Sequence, residues 1–405
     1  MKQAVMYGGG NIGRGFIGLL LSQAGYRVTF IDVAPAVVDE LQAKESYPVR
    51  YVSGEGARDV LVQNVTAVNG NDAGAAAEAI AAADIMATAV GARILKFIVP
   101  NIVAGLRLRW ERTDAPLNII VCENLNNANK IVEGMIKAQL TPSECKLFDS
   151  RVGLVEASIG RMVPVQTDEM KDGEPLRVCV ESYGFLPVDK AAFKGEIPQI
   201  PGMVPFEPFD FYIKRKLFVH NMGHATTAYL GGLLGLEYIW EAIDVADIRI
   251  IAQNAMLESA LALSRAYGVS LGDLQLHITD LLHRFTNAAL RDTCARVGGD
   301  PARKLAPDDR LVGSSLLALE QGITPAYIAV GAAAGVKRYI DETEELEQSV
   351  ESAAKVLSEV SQLPSDSPLS ALVLEYYGMI LGGASPSELR RAADERKAAS
   401  LQSII

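Results

Sequence analysis

The stretch "YGGGNIGRGF", Tyr7–Phe16, decides how the N-terminal half folds. Gly8, Gly10 and Gly13 stand in GxGxxG spacing, which gains meaning only between a strand and a helix. Here "QAVMYG" before it reads as a strand, and "IGRGFIGLLLSQAG" after it reads as a helix stopped by Gly25. Gly8 permits a tight turn, Gly10 lets the backbone approach a pyrophosphate, and Gly13 lets helix and strand pack closely. The turn through Asn11 and Ile12 opens a helix whose N–H groups and partial positive charge favour phosphates. The next strand, "RVTFID", ends in Asp32, where a carboxylate accepts hydrogen bonds from ribose hydroxyls and repels a 2′-phosphate. NAD is therefore expected over NADP. The bland alternative is a tight strand-to-helix turn that binds nothing.

Working outward, "AAAEAIAAA" reads as a helix, and "DIMATAV" and "LNIIVCEN" as strands. Such alternation implies a parallel sheet with helices on both faces. "TAVG", Thr88–Gly91, ends one of these strands on the expected ligand edge. There Thr88 and Val90 line the nicotinamide or ribose, or the segment is an ordinary turn. Further strand-like pieces, "RVGLVEAS" and "LRVCVESYGF", precede a proline- and glycine-rich loop, "GEIPQIPGMVPFEPFD". Beyond it the pattern turns helical. "IIAQNAMLESALALSRAYG" reads as a long amphipathic helix, "ETEELEQSVESAAKVLSEVSQL" as a solvated helix face, and "SPSEL" as a capping box. The expected fold class is an α/β N-terminal Rossmann-type doubly wound sheet plus a mainly α-helical C-terminal domain. The expected domains are 1–200, binding a dinucleotide, and 201–405, carrying substrate and catalytic residues. A ligand is expected in a cleft between them.

Composition narrows the function classes. With 405 residues, 49% hydrophobic and 21% charged, the chain is of ordinary globular composition. Its net charge of −11 argues against a nucleic-acid partner, since phosphate backbones are bound by basic surfaces. A small anion held by a local basic pocket remains compatible. "MKQAVMYGGG" lacks a secretion-signal core, and no apolar run reaches membrane-spanning length. Cys122, Cys145, Cys179 and Cys294 form no CxxC pair, so a reducing, cytoplasmic setting is expected. His220, His224, His277 and His283 have no metal-ligand spacing, and no metal is expected.

A second stretch, "KLFVHNMGHA", Lys216–Ala225, raises a separate question. At about 100° per residue, Lys216, Asn221 and His224 fall within an arc of roughly 140° on an α-helix. Hydride chemistry needs a base for the hydroxyl proton and donors for the oxygen as it becomes negative. A lysine serves as base if burial and nearby positive charge lower its pKa. Asn221 is one neutral donor, and Asn124, at the end of "IIVCEN", is another. His224 would hold the lysine or a substrate hydroxyl, and Gly223 would keep the helix surface open. The pattern alone is equally that of a solvated helix face.

At these residues the sequence resembles the polyol-specific long-chain dehydrogenases. "GGGNIGRGFIG", "TAVG", "CEN" and "RKLFVHNMGHA" carry the likeness, with "VDKAAFKGEIPQIPGM" and "RFTNAALRDTCARVGGDPARKLAPDDRL" extending it from residue 1 to about 330. Within that family the match is closest to the branch acting on a hexitol phosphate. The resemblance implies NAD, no metal, a lysine base at Lys216, an asparagine pair at Asn124 and Asn221, and a positioning role for His224. It also implies substrate contacts at Arg296 and Lys304. A guanidinium fork with an ammonium suits a phosphate monoester, although ion pairs with Asp292, Asp300, Asp308 and Asp309 would explain the same charges. Two departures stand out. Gly160, in "SIGRMVP", replaces the family's Asp, and "NAAL", Asn287–Leu290, replaces "NPYL".

The resulting expectation is an NAD-dependent, metal-independent interconversion of a hexitol phosphate and a ketose phosphate, first of all mannitol 1-phosphate and fructose 6-phosphate. Its partner is thus a small sugar phosphate or polyol, with no nucleic acid and no membrane. The alternatives are an unphosphorylated polyol or a hexuronate as substrate, and more distantly a non-catalytic NAD-binding module.

Overall fold

The computed structural model describes residues 1–125 and 127–402. The chain separates into two compact units, with the change at Asp210–Phe211. The first unit carries β1 (Gln3–Tyr7), β2 (Arg27–Asp32), β3 (Ser46–Ser53), β4 (Gly56–Gln63), β5 (Val65–Asn69), β6 (Ile85–Thr88), β7 (Leu117–Val121), β8 (Val152–Glu156), β9 (Val178–Val180), β10 (Leu186–Asp189) and β11 (Met203–Phe206). Six of them form one parallel sheet in the order β5-β2-β1-β6-β7-β8. This is the Rossmann order, and its direction reverses between β1 and β6, where ligands bind in open α/β sheets.

Alternation along β1 shows how both faces are covered. Ala4 and Met6 join one core with Phe16, Phe30 and Val178, while Val5 and Tyr7 join another with Ile80, Ile102 and Leu106. Burial on both sides explains why strands such as β7 are apolar throughout. The β3–β4 hairpin is an addition to the expected pattern. It pairs antiparallel around Gly54–Glu55, and β3 joins β9 in a small sheet. Its signal is present in the chain, since buried Tyr47 and Val49 alternate with less buried neighbours before a glycine-led two-residue turn.

The helix after the glycine turn differs from the expected α-helix. It begins as a π-helical turn, Gly13–Gly18, continues as α-helix over Leu19–Gln23, and stops at Gly25 with φ +83°. The glycines bring it against its neighbours. A Cβ at Gly15 would lie 2.8 Å from the Val178 and Val180 side chains, and one at Gly18 would lie 2.6 Å from the Phe30 ring.

The second unit is helical. A π-helical turn, Arg215–Asn221, runs into the helix Met222–Leu233, which packs with Ala246–Tyr267 and Ala326–Asp341. A Cβ at Gly223 would lie 2.5 Å from Met256 Sδ. Gly223 therefore serves helix packing and does not hold a surface open as expected. The acidic run also departs from expectation, because Glu342–Gln348 lies outside any helix. The helix Val350–Glu359 starts only after Ser349, whose hydroxyl accepts the Ser352 N–H at 3.1 Å. Like charges crowded at Glu344, Glu345 and Glu347 disfavour helix there, and the serine offers a better start. The capping box at Ser385 forms as read, with reciprocal bonds to Glu388 of 3.3 and 2.8 Å. Among the described residues no helix is long and apolar enough to cross a membrane.

Two constraints shape the ligand edge of the parallel sheet. A Cβ at Gly13 would sit well inside contact distance of the Gly8 carbonyl oxygen. The buried Glu123 carboxylate, just beyond β7, accepts the N–H groups of Val90 and Gly91 at 3.0 and 2.7 Å. Each constraint makes a prediction. Gly13→Ala gains about 0.4–1 kcal/mol from a stiffer unfolded chain. Overpacking costs about 1–3 kcal/mol and wins. The midpoint of urea unfolding should therefore fall, and an unchanged midpoint would mean the turn relaxes freely. Glu123→Ala orphans two backbone donors at about 1–3 kcal/mol each. Its unfolding midpoint should fall further than that of Glu123→Gln, which keeps one acceptor.

Candidate functional site

In the first unit the expected cofactor residues gather at the β1/β6 switch point. Gly8 has φ +102°, and a Cβ there would lie 2.5 Å from the Ala89 carbonyl oxygen, so the glycine turn and "TAVG" are in direct contact. At Gly10 the space is open, and a Cβ there would meet no other group within 4 Å. Asn11 is exposed and Ile12 half-buried beside it. Asp32 holds the turn, accepting the Gly9 N–H at 2.6 Å through Oδ2 and the Ala34 N–H at 2.9 Å through Oδ1. Arg14 does not face the open side. Its Nε donates to the Gly9 carbonyl at 2.6 Å and its Nη1 to the Leu176 carbonyl, and burial lowers its pKa.

Thr88 is fully buried, and its Oγ1 has no hydrogen-bond partner among the described residues. Its side chain thus belongs to the wall of the edge. Val90 is half-buried, with its N–H taken by Glu123. Asn124 follows Glu123 directly and is exposed. Glu123 is a residue that sequence reasoning misses. It stands in "CEN" beside the candidate asparagine, and nothing in its type announces that it binds backbone.

In the second unit the π-helical turn changes the angular reading. The Met222 N–H reaches back to the Leu217 carbonyl, a five-residue step. The 140° arc assumes an α-helix and does not apply; the wider turn brings Lys216 and Asn221, five apart, nearer to one face. Lys216 is partly exposed, yet burial of its amine, with Arg310 nearby, lowers its pKa to about 8. Lys304 is buried, and burial together with Arg310 and Arg303 lowers it to about 8 as well. Arg310 therefore lies within electrostatic reach of both lysines. Its Nε donates to Asp309 at 2.7 Å. Among the described residues the Lys304 ammonium forms no side-chain hydrogen bond or close ion pair, but Asp300 and Asp309 lie within electrostatic reach of it, each also bonded to an arginine.

His224 stacks on the Phe285 ring at 4.8 Å and 15°, and its Nε2 lies 3.3 Å from Asp292 Oδ2. Asp292 also accepts Arg296 Nε at 2.9 Å. Burial raises the Asp292 pKa, but His224 and Arg296 outweigh it and hold the carboxyl below its usual range. His220 is buried, and its pKa is pushed well below the usual value by burial and by Arg284. It thus stays neutral in the core. Phe285, beside His224, is a further residue that the sequence does not mark, and the pairing of Asp292 with Arg296 is an ion pair that the sequence leaves open.

The two departures have local structural counterparts. A Cβ at Gly160 would lie 3.1 Å from the Tyr183 ring, so an aspartate there would require the ring to move. Asn287 caps the short helix Ala288–Leu290, accepting the Ala289 N–H at 3.1 Å.

Known proteins share this organisation. Residues 2–202 match the mannitol dehydrogenase Rossmann domain, and residues 209–377 match the mannitol dehydrogenase C-terminal domain. A mannitol-1-phosphate 5-dehydrogenase from Oceanobacillus iheyensis is 38% identical over 382 residues, covering 93% of this chain and 98% of that protein. One from Brevibacillus brevis is 38% identical over 384 residues, covering 92% and 96%. A D-sorbitol dehydrogenase solved in substrate-free form has the same fold, with a TM-score of 0.78 at 16% identity. Pseudomonas fluorescens mannitol 2-dehydrogenase, solved as a ternary complex with NAD and D-mannitol, gives 0.73 at 14% identity. Each solved structure covers 96% of this chain, which covers 94% of it. The chain belongs to the mannitol dehydrogenase family.

Proposed function

We propose that the protein is an NAD-dependent dehydrogenase that interconverts a hexitol phosphate and a ketose phosphate, with mannitol 1-phosphate and fructose 6-phosphate as the first pair to test. One observation carries the chemistry. Lys216 sits on a π-helical turn with Asn221, and burial beside Arg310 lowers its pKa to about 8. An amine in that range is a competent proton acceptor near neutral pH.

The glycine turn fits a dinucleotide. The open space at Gly10 leaves room for pyrophosphate beside the helix start, and Asp32 keeps acceptor capacity for ribose hydroxyls. When bound, the dinucleotide supplies the hydride acceptor for polyol oxidation. Lys216 Nζ takes the proton of the substrate hydroxyl. Asn221 and Asn124 donate hydrogen bonds to the oxygen as charge develops on it. His224, held between Phe285 and Asp292, orients a substrate hydroxyl. In this reading amide and ammonium donors meet the charge on the reacting oxygen, and no metal ion is required. Lys304, buried and sharing Asp300 and Asp309 with Arg303 and Arg310, binds the phosphate ester, with Arg296 as the exposed second cation. The 38% identity to mannitol-1-phosphate 5-dehydrogenases over nearly their whole length supports the phosphorylated substrate.

An unphosphorylated polyol or a hexuronate is the second reading. The pairing of Arg296 with Asp292 favours the uncharged polyol, because that guanidinium already has a carboxylate partner. A panel of polyols, polyol phosphates and uronates followed by NADH absorbance separates the two.

The roles give further expectations. Polyol oxidation needs the neutral amine, so its rate should fall as pH drops below about 8, while ketose reduction should fall as pH rises above it. Lys216→Ala should cut turnover by about 10²–10⁴-fold, the usual contribution of a general base, with NADH binding near normal. Unchanged turnover would remove the lysine from the reaction. Lys304→Met should raise KM for the phosphorylated substrate by about 10- to 150-fold, from the loss of a charged hydrogen bond of about 1.5–3 kcal/mol. KM for a free polyol should barely move, and an equal change for both would remove the lysine from phosphate recognition.

A further inference from the structure

We propose that Asp292 is a positioning residue that couples anion binding at Arg296 to the orientation of the His224 ring. The inference rests on the proposed reading only in giving Arg296 an anionic ligand. The geometry comes from one carboxylate with a different partner on each oxygen. Oδ1 accepts the Nε and Nη2 of Arg296, the former at 2.9 Å. Oδ2 lies 3.3 Å from His224 Nε2, but that nitrogen has no aligned hydrogen bond among the described residues. The contact is close enough to attract and too poorly directed to be a full hydrogen bond.

The three groups are graded from solvent inward. The Arg296 side chain is 57% exposed, whereas those of Asp292 and His224 are 10% and 14% exposed. Arg296 is thus the end that an arriving anion meets first. The carboxylate backbone is fixed, since the Asp292 carbonyl accepts the Ile239 N–H at 2.9 Å and the adjoining Thr293 bridges to Tyr238. His224 is fixed from the other side by its stack on Phe285. With both ends anchored, the free motion left is rotation of the planar carboxylate, which moves both oxygens together. A phosphate drawing on the Arg296 donors weakens the pull on Oδ1. The carboxylate then turns toward His224 and converts the 3.3 Å contact into an aligned hydrogen bond. The stacked ring's in-plane orientation is set as the ligand arrives, without the arginine and the imidazole touching each other.

The test follows the imidazole directly. The chain has four histidines, so side-chain resonances of nitrogen-15-labelled histidine are few, and His224→Gln assigns the one in question. Inorganic phosphate is titrated at fixed pH, which needs no turnover. In the wild type the His224 resonances should shift saturably. Arg296→Gln should abolish the shift. Asp292→Asn should abolish it while phosphate binding, read by calorimetry, persists. Absence of a saturable His224 response in the wild type would overturn the proposal, as would an equal response in Asp292→Asn. If Asp292→Asn fails to fold, Arg296→Gln alone still decides, because an undiminished shift in that variant contradicts the coupling. A second readout is kinetic: with the phosphorylated substrate, losses in kcat/KM from Arg296→Gln and His224→Gln should fall short of multiplying by about fivefold or more. Failure to turn over any polyol phosphate, with the His224 shift intact, would sink the substrate assignment and leave the coupling standing.

Discussion

The carbonyl oxygen of Gly8 occupies the place a side chain at residue 13 would need, and the ligand edge of the N-terminal unit follows from that contact. It forces glycine at position 13 and draws the following helix onto the end of β1. Gly8 in turn takes a left-handed φ of +102° and donates its N–H to the Ile31 carbonyl at 2.9 Å, tying the turn to β2. Asp32, at the end of β2, binds the Gly9 N–H, while the Ala89 N–H binds the Tyr7 carbonyl. Glu123 then takes the next two N–H groups beyond Ala89. Four strand ends are thus linked, by backbone bonds at Gly8 and Ala89 and by the Asp32 and Glu123 carboxylates on backbone N–H groups. Links of this kind hold the backbone N–H groups of the edge in fixed positions, the arrangement that phosphate binding at a helix start calls for.

The C-terminal unit is built on an opposite principle. Its helices approach closely through small residues, with Gly223 against Met256 and Gly335 against Tyr229, and a dense apolar core results. Each fully buried large apolar side chain contributes about 1.5–3 kcal/mol. That surplus offsets the several kcal/mol needed to hold an ion such as the Lys304 ammonium out of water. The same burial lowers both lysines to about 8. Burial that stabilises the helical core thus also shifts these amines toward the neutral form. The π-helical turn under Lys216 forgoes ideal α-helical bonding, and such turns recur at functional sites. A second π-helical turn lies directly after the glycine motif.

Much of this is legible in the chain because it depends on local chemistry. The alternation of strands and helices, the glycine turn and the capping box at Ser385 are each set by residues near one another in the chain, and Asp32 is found by its spacing from the glycine motif. What stays hidden depends on partners distant in sequence. Glu123 acts on residues up to 33 positions back, and nothing adjacent to it reveals the two N–H groups it binds. Arg310 acts on Lys216 across 94 positions, and its charge gives no sign of which lysine it faces. The missing side chain of Gly223 does matter, but the neighbour that needs the space is Met256 and not a ligand. The π-helical turns are invisible for a related reason. Periodicity in a sequence reports α-helix by default, whereas the wider turn is set by packing that the sequence does not display.

A chain of net charge −11 is an unpromising receptor for a phosphate ester, and the local arrangement resolves the conflict. Charges beyond a Debye length of about 8–10 Å are largely screened in water. The many exposed carboxylates therefore contribute little at any one buried point. Within that range the balance is different. Lys216 and Lys304 share Arg310 as a like-charged neighbour, Arg303 adds to it at Lys304, and the nearby acids are partly committed elsewhere. Asp309 is bonded to Arg310, Asp300 to Arg303, and Asp292 to Arg296. Protein dielectric strengthens each short-range interaction relative to water, so a local cluster of cations counts for more at a buried point than a larger exposed negative total. A net negative chain thus carries a locally cationic cluster around Arg310.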